Sequence, residues 1–403
     1  MNIHFNRYRH KVNGILIGHP IGYMHGDNTL TEVTPKILAQ GLLALREVSI
    51  MPALVNSDYG DDARQKGATV DVPIPSAIAA VAVTPAATPP STADSTPTSV
   101  SLPLDQWWEA PFYLTDKDRK QADAGFIPMQ VSEAIKALAN KVNTYIFTEM
   151  YKGIYGYAGV AATTPFASDT SNATDLRKIL NKQLAPEGDR RVVLDPDAEA
   201  NALNLRPFND MSFSGNPSAI IEGKLNRKFG FDWFMSQLIP THTAGTAASA
   251  TTDNTGYAAG LKTVTLASAG TGTILVGDVI TFAGHTQTYV ITSGDADVSN
   301  GGTISFYPGL AVALSAATKA ITVKATHVAN LAFHRDCFAF ATRPLEDDVP
   351  AGLGSIVQAA FDPKSGLTLR LEITREHKRI RWSFDILYGG VVVRREFGCR
   401  LAG

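Results

Sequence analysis

The chain has 403 residues, enough for two or three domains with sizeable cores. Hydrophobic residues make up 44% and charged residues only 18%; Ala, Thr, Ser and Gly fill the difference, which suits strands, turns and large buried contacts. A formal net charge of −2 favours neither nucleic acid nor an acidic membrane as a gripped partner, and no stretch reaches the roughly 20 apolar residues of a membrane span.

Residues 1–26 read as an arm. Arg7, Arg9, His10 and Lys11 precede the apolar Ile15, Leu16 and Ile17 in the order of a signal peptide. The apolar run is short and Gly18, His19 and Pro20 interrupt it, so export is not expected. Thr34 and Pro35 then give a helix N-cap and first position, with Ile37, Leu38, Leu42 and Leu45 at helical spacing up to Glu47. After a turn-rich stretch at 50–60, Val70, Val72 and Ile74 alternate along a strand candidate whose Pro73 and Pro75 suit an edge or a projecting hairpin. Residues 76–99 are a low-complexity Ala/Thr/Ser/Pro segment that cannot bury enough apolar surface to offset its own ordering. Alternation resumes at Val100, Leu102 and Leu104, followed by the aromatic patch Trp107, Trp108, Phe112 and Tyr113. Two alternating arms around a soft tip describe a long hairpin. Its aromatic foot would be a liability on an isolated monomer and makes sense if a neighbouring subunit covers it.

Residues 127–152 carry the strongest single pattern. Pro128 sits at a helix start, Val131, Ile135, Leu138, Val142 and Tyr145 draw one apolar stripe, and Gly153 and Gly156 close the run. Lys136, Asn140, Lys141 and Asn143 lie mostly off that stripe and make up the expected polar side, and the expected partner of the apolar side is the C-terminal stretch 367–394. Beyond a small-residue loop at 157–172, Thr174 or Asp175 could cap a helix through Asn181. Residues 191–194 read as a buried strand that runs into Asp195, Pro196, Asp197 and Glu199, and residues 229–235 as a further buried strand or turn. Residues 241–260, Thr/Ala/Gly with almost no core formers, read as a linker. Five strand candidates follow at 262–267, 273–282, 287–292, 303–307 and 320–324, spaced as in a small β-barrel or sandwich, so 245–328 is a candidate inserted module. The chain ends in strand candidates 367–374, 381–387 and 390–394, with Tyr388, Gly389 and Gly390 as a tight turn between the last two.

Catalytic patterns are weak. Asp195, Asp197 and Glu199 could serve a metal only if further oxygen ligands converged on them, whereas as a helix start they need nothing more. His327 and His334 have no recognised ligand spacing, and neither a Gly-X-Ser-X-Gly elbow nor a phosphate-binding loop occurs. Cys337 and Cys399, the two cysteines, cannot build a disulfide framework or a four-ligand zinc site and are expected as free, buried thiols. The expectation is a protein without catalytic, metal or cofactor residues.

The run Asn330 to Asp336, continuing through Ala341, Thr342, Arg343, Pro344 and Leu345, resembles the signature of tailed-phage coat proteins of the P-twenty-two type. Leu30 to Pro35, Leu54 to Asn56, Gly277 to Gly284 and Asp385 to Gly389 extend the resemblance in the family's order over most of residues 28–403. It implies an α+β, Hong Kong 97-type capsid fold with an inserted all-β barrel domain. The mapping is an N-terminal arm and helix at 1–49, an extended loop at 50–115 and a peripheral domain at 116–156 whose spine helix is 127–152. An axial domain at 157–244 is interrupted by the barrel at 245–328 and returns at 329–350, and 351–403 supplies C-terminal strands to the peripheral domain. It further implies a major capsid protein that assembles with itself as hexamers and pentamers, works with scaffolding and portal proteins, and encloses double-stranded DNA without sequence-specific binding or a membrane. It would assemble in the host bacterial cytoplasm and end in the virion. Two rival readings stand beside it: a secreted β-rich adhesion or binding protein, suggested by the low charge and the Thr/Ala/Gly-rich module, and, remotely, a hydrolase using Asp195 and Asp197.

Overall fold

The computed structural model describes residues 10–12, 15–17, 50–59, 69–75, 97–117, 126–210, 221–343, 355–362 and 367–403, with the single positions 78, 80, 85 and 345. The helix expected from Thr34 to Glu47 and most of the hairpin tip lie outside the described residues.

Strands β1 (His10–Val12) and β2 (Ile15–Ile17) pair as a short antiparallel hairpin. A four-residue helix, α1 (Met51–Leu54), follows, with Met51 and Leu54 buried. The two arms of the expected hairpin are β3 (Thr69–Ile74) and β4 (Thr98–Pro103), antiparallel with Val70 opposite Leu102 and Val72 opposite Val100. Their apolar face does not hang free: Val70, Val72, Leu102 and Leu104 pack on Ala339 and Ala341. Residues expected at the hairpin's foot continue as β5 (Gln106–Thr115), a ten-residue strand.

Helix α2 (Phe126–Gly153) has 28 residues, about 42 Å of rod at 1.5 Å per residue. Its stripe is deeper than the expected one. Val131, Ile135, Leu138 and Val142 are buried, and Ala139, Ile146, Phe147 and Met150 join them. Asn143, expected on the polar side, is buried at 2% exposure because its Oδ1 accepts the Met51 N–H (3.1 Å), an orphan donor at the start of α1. Lys136, Asn140 and Lys141 remain exposed.

β6 (Gly156–Gly159) occupies the beginning of the expected loop. α3 (Ser171–Lys182) begins before Thr174, with Asp169 Oδ1 accepting the Ser171 N–H (2.9 Å), so the N-terminal donor is met by a residue ahead of both expected caps. β7 (Arg190–Leu194), α4 (Pro196–Asn204), β8 (Asp232–Met235) and β9 (Thr241–His242) follow. Next come β10 (Thr263–Leu266), β11 (Val279–Phe282), β12 (Tyr289–Ser293), β13 (Gly302–Tyr307) and β14 (Ile321–Val323). The last six strands are β15 (His327–His334), β16 (Phe338–Arg343), β17 (Ser355–Asp362), β18 (Leu367–Glu376), β19 (Arg379–Val392) and β20 (Gly398–Ala402).

Three sheets organise these elements. The first is a five-stranded antiparallel sheet in which β19 is paired by β16, β18 and β5, with β17 beyond β18. The tight turn expected at Tyr388-Gly389-Gly390 is absent, since β19 runs unbroken for 14 residues. The two glycines answer a packing demand instead. A Cβ on Gly389 would collide with the Pro103 carbonyl of β4, and one on Gly390 would lie 2.5 Å from the Phe338 ring. One face of this sheet, through Leu367, Leu369, Leu371, Trp382, Phe384 and Ile386, packs on α2 as expected.

The second sheet has the order β6-β20-β15-β7-β8, with β9 added to β15; β6 runs parallel to β20 and β8 parallel to β7. Alternation gives it two covered faces. Val193, Leu331 and Phe333 face the α2 core, while Val192, Leu194, Ala332 and Leu401 face α3 and α4 through Leu176, Leu180, Ala198 and Ala202.

The third sheet is the module, antiparallel in the order β10-β13-β12-β11-β14, with its own core of Leu266, Ile280, Phe282, Tyr289, Ile291, Ile304 and Phe306 among others. Residues 241–260 are not a linker. The Ile321 N–H donates to the Ala250 carbonyl (2.9 Å) and the Ala267 N–H to Thr251 (2.9 Å), while Thr252 N–H donates to Lys319 (2.9 Å) and Asp253 N–H to Thr265 (3.0 Å). This segment therefore joins the two edge strands β10 and β14. It is held by main-chain bonds, which a composition poor in large side chains does not reveal.

Candidate assembly surface and buried junction

β5 pairs with β19 over ten positions, from Gln106 opposite Tyr388 to Thr115 opposite Arg379. Strand alternation then splits the four aromatic residues expected at a subunit contact. Phe112 turns toward α2, stacks on Trp382 (6.1 Å, 3°) and packs within its own chain's core. Trp108 shares that face, with Lys141 Nζ of α2 lying 4.5 Å from its ring centre. Trp107 and Tyr113 point the opposite way and are 62% and 47% exposed.

That outward face is preorganised by charge. Asp385 Oδ2 accepts the Trp107 indole N–H (3.0 Å), and Asp385 Oδ1 accepts Arg370 Nε–H (2.9 Å). Glu109 accepts from Arg381 Nη2 (2.7 Å) and Ser383 Oγ (3.0 Å), and Arg379 lies 4.4 Å over the Tyr113 ring. The tethered indole and the cation-covered phenol thus present fixed rings on a ladder of paired charges, which lowers the ordering cost of any contact made there. Arg379 and Arg381, two positions apart on β19, belong to this strand face, while Lys378 lies in the turn before it.

A second constellation was not foreseen. His242 on β9 lies opposite His327 on β15, so the strands leading into and out of the module are paired. His242 Nε2 meets Asp278 Oδ1 at 2.9 Å, and both groups are buried. Asp278 also accepts the Gly245 N–H (3.1 Å) and the Leu275 N–H (2.7 Å). Arg400 on β20, fully buried, donates from Nη2 to the Gly277 carbonyl (2.7 Å) and from Nε to the Ile154 carbonyl (3.2 Å) just beyond α2. Desolvation pulls the Arg400 guanidinium down to about 10. One side chain thereby ties helix, sheet and module together. These residues lie far apart in the chain, and each alone carries no recognisable pattern.

Asp195 occupies the N-cap position of α4 but makes no side-chain capping bond; its N–H donates to Asn330 Oδ1 (2.6 Å). Asp197 and Glu199 lie in the first turn of α4, with burial pushing the Glu199 carboxyl up. No group of three metal-ligating side chains comes together among the described residues. His327 and His334 stand at opposite ends of β15, where His334 Nδ1 accepts the Asp336 N–H (3.2 Å) and its ring packs on Phe397. Cys337 and Cys399 are both free and buried, with burial pushing each thiol up. Among the described residues no helix is long and apolar enough to cross a membrane.

No protein-family model and no curated protein matches the chain. Among solved structures it is similar to one from Mycobacterium phage Che8, at 15% identity over 86% of this chain and 89% of that one, with a TM-score of 0.48. It is also similar to the capsid structure of the cyanophage P-SCSP1u (12% identity, 88% of each chain, TM-score 0.49). A virus-like particle from Pyrococcus furiosus matches at 10% identity over 91% of this chain and 98% of that one, with a TM-score of 0.43.

Proposed function

We propose that this chain is the major capsid protein of a tailed bacteriophage, a P-twenty-two-type coat protein with a Hong Kong 97-type fold. Its copies would close into an icosahedral shell around double-stranded DNA. The observation that carries this reading is the unit made by α2 and the β5–β19 sheet. A long helix covers one face, the other face offers Trp107 and Tyr113 on fixed charges, and a hairpin leaves from the same sheet. Closure of a shell needs such contacts spread over each subunit, because one small interface would not specify curvature.

In this reading 50–115 is the extended loop, α2 the spine of a peripheral domain, the sheet around β15 and β20 the core of an axial domain, and 245–328 an inserted barrel domain. The bonds from residues 250–253 to both β10 and β14 support the barrel description. The role is structural and asks for no cofactor. Hexamers and pentamers of the chain itself would form the shell, with scaffolding and portal proteins as partners in the bacterial cytoplasm. DNA is enclosed rather than gripped, since tight binding needs clustered unpaired Lys and Arg.

Negative-stain microscopy of the expressed chain tests the reading, with uniform closed shells expected. A uniformly monomeric product would overturn it. Within it, truncating Trp107 and Tyr113 to alanine removes outward aromatic anchors of the kind that contribute about 2 kcal/mol or more at interfaces. The expected result is folded subunits with a markedly reduced yield of shells; wild-type yield would remove these residues from the contact.

A further inference from the structure

Where the module meets the body sits a histidine whose second ring nitrogen has no hydrogen-bond partner among the described residues. The His327 ring lies between Tyr157 (5.3 Å, 87°) on β6 and His242 (5.3 Å, 58°) on β9. Its Nδ1 is 2.7 Å from the Ala325 carbonyl, which makes Nδ1 the donor and leaves Nε2 as a bare lone pair. Nε2 is buried without a hydrogen-bond partner among the described residues, and so is Arg400 Nη1. The carboxylate facing this cluster, Asp278, is already engaged by His242, Gly245 and Leu275. The other charges nearby are cationic or paired away. Lys324 lies 5.6 Å over the Tyr157 ring, and Lys152, which packs along Gly277, faces Glu149 (4.0 Å). Tyr151 contributes a ring beneath Arg400 (5.3 Å) and against His242 (5.3 Å).

We propose that this junction is an acid-operated latch, in which protonation of His327 releases the module at 245–328 from the body as a folded unit. A proton on Nε2 would place an imidazolium near the buried Arg400 guanidinium with no acceptor to receive its N–H, a cost relieved by opening the junction to water. His242 differs, because its ring nitrogen already faces Asp278. The module survives the opening because its apolar core is its own; its other attachments include Thr288 Oγ1 to the Tyr155 carbonyl (2.7 Å), Tyr307 Oη to Glu396 Oε2 (3.4 Å), Tyr307 against Tyr155 (5.8 Å), Arg395 over Tyr307 (5.1 Å) and the packing of β12 on α2.

Burial holds the His327 imidazole down to about 4. Free imidazole titrates near about 6.5, so the unfolded or opened chain takes up the proton first. The latch is fully closed above about pH 6.5 and loosens as pH falls from there through about 4.

The test uses the full chain in the assembly state in which it purifies, followed by hydrogen exchange with mass spectrometry between pH 7 and pH 4 and corrected for intrinsic rates. Exchange at the histidine ring carbon reports the ionisation of His327 directly. The expected result is a low midpoint for His327 with a matching loss of protection, at least about tenfold, at Val328 and Gly403, whose N–H groups each donate to the other's carbonyl across the junction (3.1 and 3.2 Å), while Ile291 and Phe306 in the module core stay protected. His327→Gln should hold protection at Val328 and Gly403 constant over this range. Protection that persists to pH 4, that disappears at the same pH in the module core, or that falls equally in His327→Gln would each overturn the latch. So would a wild-type His327 that titrates like free histidine, a readout that does not depend on the variant folding.

Discussion

The α2 core and the module solve the same problem of burying a sheet in opposite ways. The α2 core draws strands from across the chain: β17, β18 and β19 pair in sequence, but β5 and β16 reach β19 only through long-range pairing, and the bond between Trp107 and Asp385 on that sheet spans 278 positions. The module pairs β10 to β14 entirely among residues between 263 and 323 and encloses its own cluster. Local closure costs less loop entropy and forms early, whereas the body must bring distant segments together before its contacts stabilise anything. The module therefore rests on local contacts of its own, and the body on contacts between distant segments.

Two core truncations break this comparison most forcefully. Phe147→Ala in α2 should cost about 4 kcal/mol and lower the body transition in calorimetry while leaving a module transition in place. Phe306→Ala should cost about 3 kcal/mol and do the reverse. A single transition shifted equally by both would show that the two cores are one cooperative unit. Gly389→Ala comes next. Its methyl meets the Pro103 main chain, so a loss of about 2 kcal/mol is expected, with increased protease sensitivity at the hairpin. Arg400→Met strips a donor from the Gly277 and Ile154 carbonyls, partly offset by relief of a buried guanidinium. A net loss of about 1–2 kcal/mol is expected, seen as separation of the two calorimetric transitions. Smallest of all, Lys136→Ala removes an exposed pair with Glu133 on the polar side of α2 and should change chemical stability by less than about 0.5 kcal/mol.

What could be read from the sequence follows the same division. Periodicity located α2 to within a residue at each end, because its stripe is continuous and meets one kind of surface. It also located the hairpin arms and the module strands to within a residue or two at each end, except at 273–282, where the strand begins only at Val279 because Leu275 and Asp278 form a turn. It failed where tertiary demands override local pattern. Gly389 and Gly390 look like a turn but permit close approach inside β19, and Asn143 looks exposed but satisfies a buried N–H. β20 was missed because Gly398, Cys399 and Arg400 do not alternate as a strand should, and a fully buried arginine has meaning only through carbonyls on two other elements. The aromatic patch was legible as a group, yet its division between two faces depends on the register with β19. The junction of His242, Asp278, His327 and Arg400 had no signal to find.

β15 and β16 are one run of chain, interrupted only by a single 3-10 turn at Arg335–Cys337, yet they belong to different sheets. A one-residue slip in β15 would turn its whole apolar set to the opposite face. Through the short turn it would drag β16 by the same step, exchanging the buried Phe338 and Phe340 with their neighbours. The two sheets thus share a single alignment, and an error in either is an error in both. Fidelity of pairing is checked twice along one stretch, so misaligned chains forfeit two cores at once and are the least able to persist.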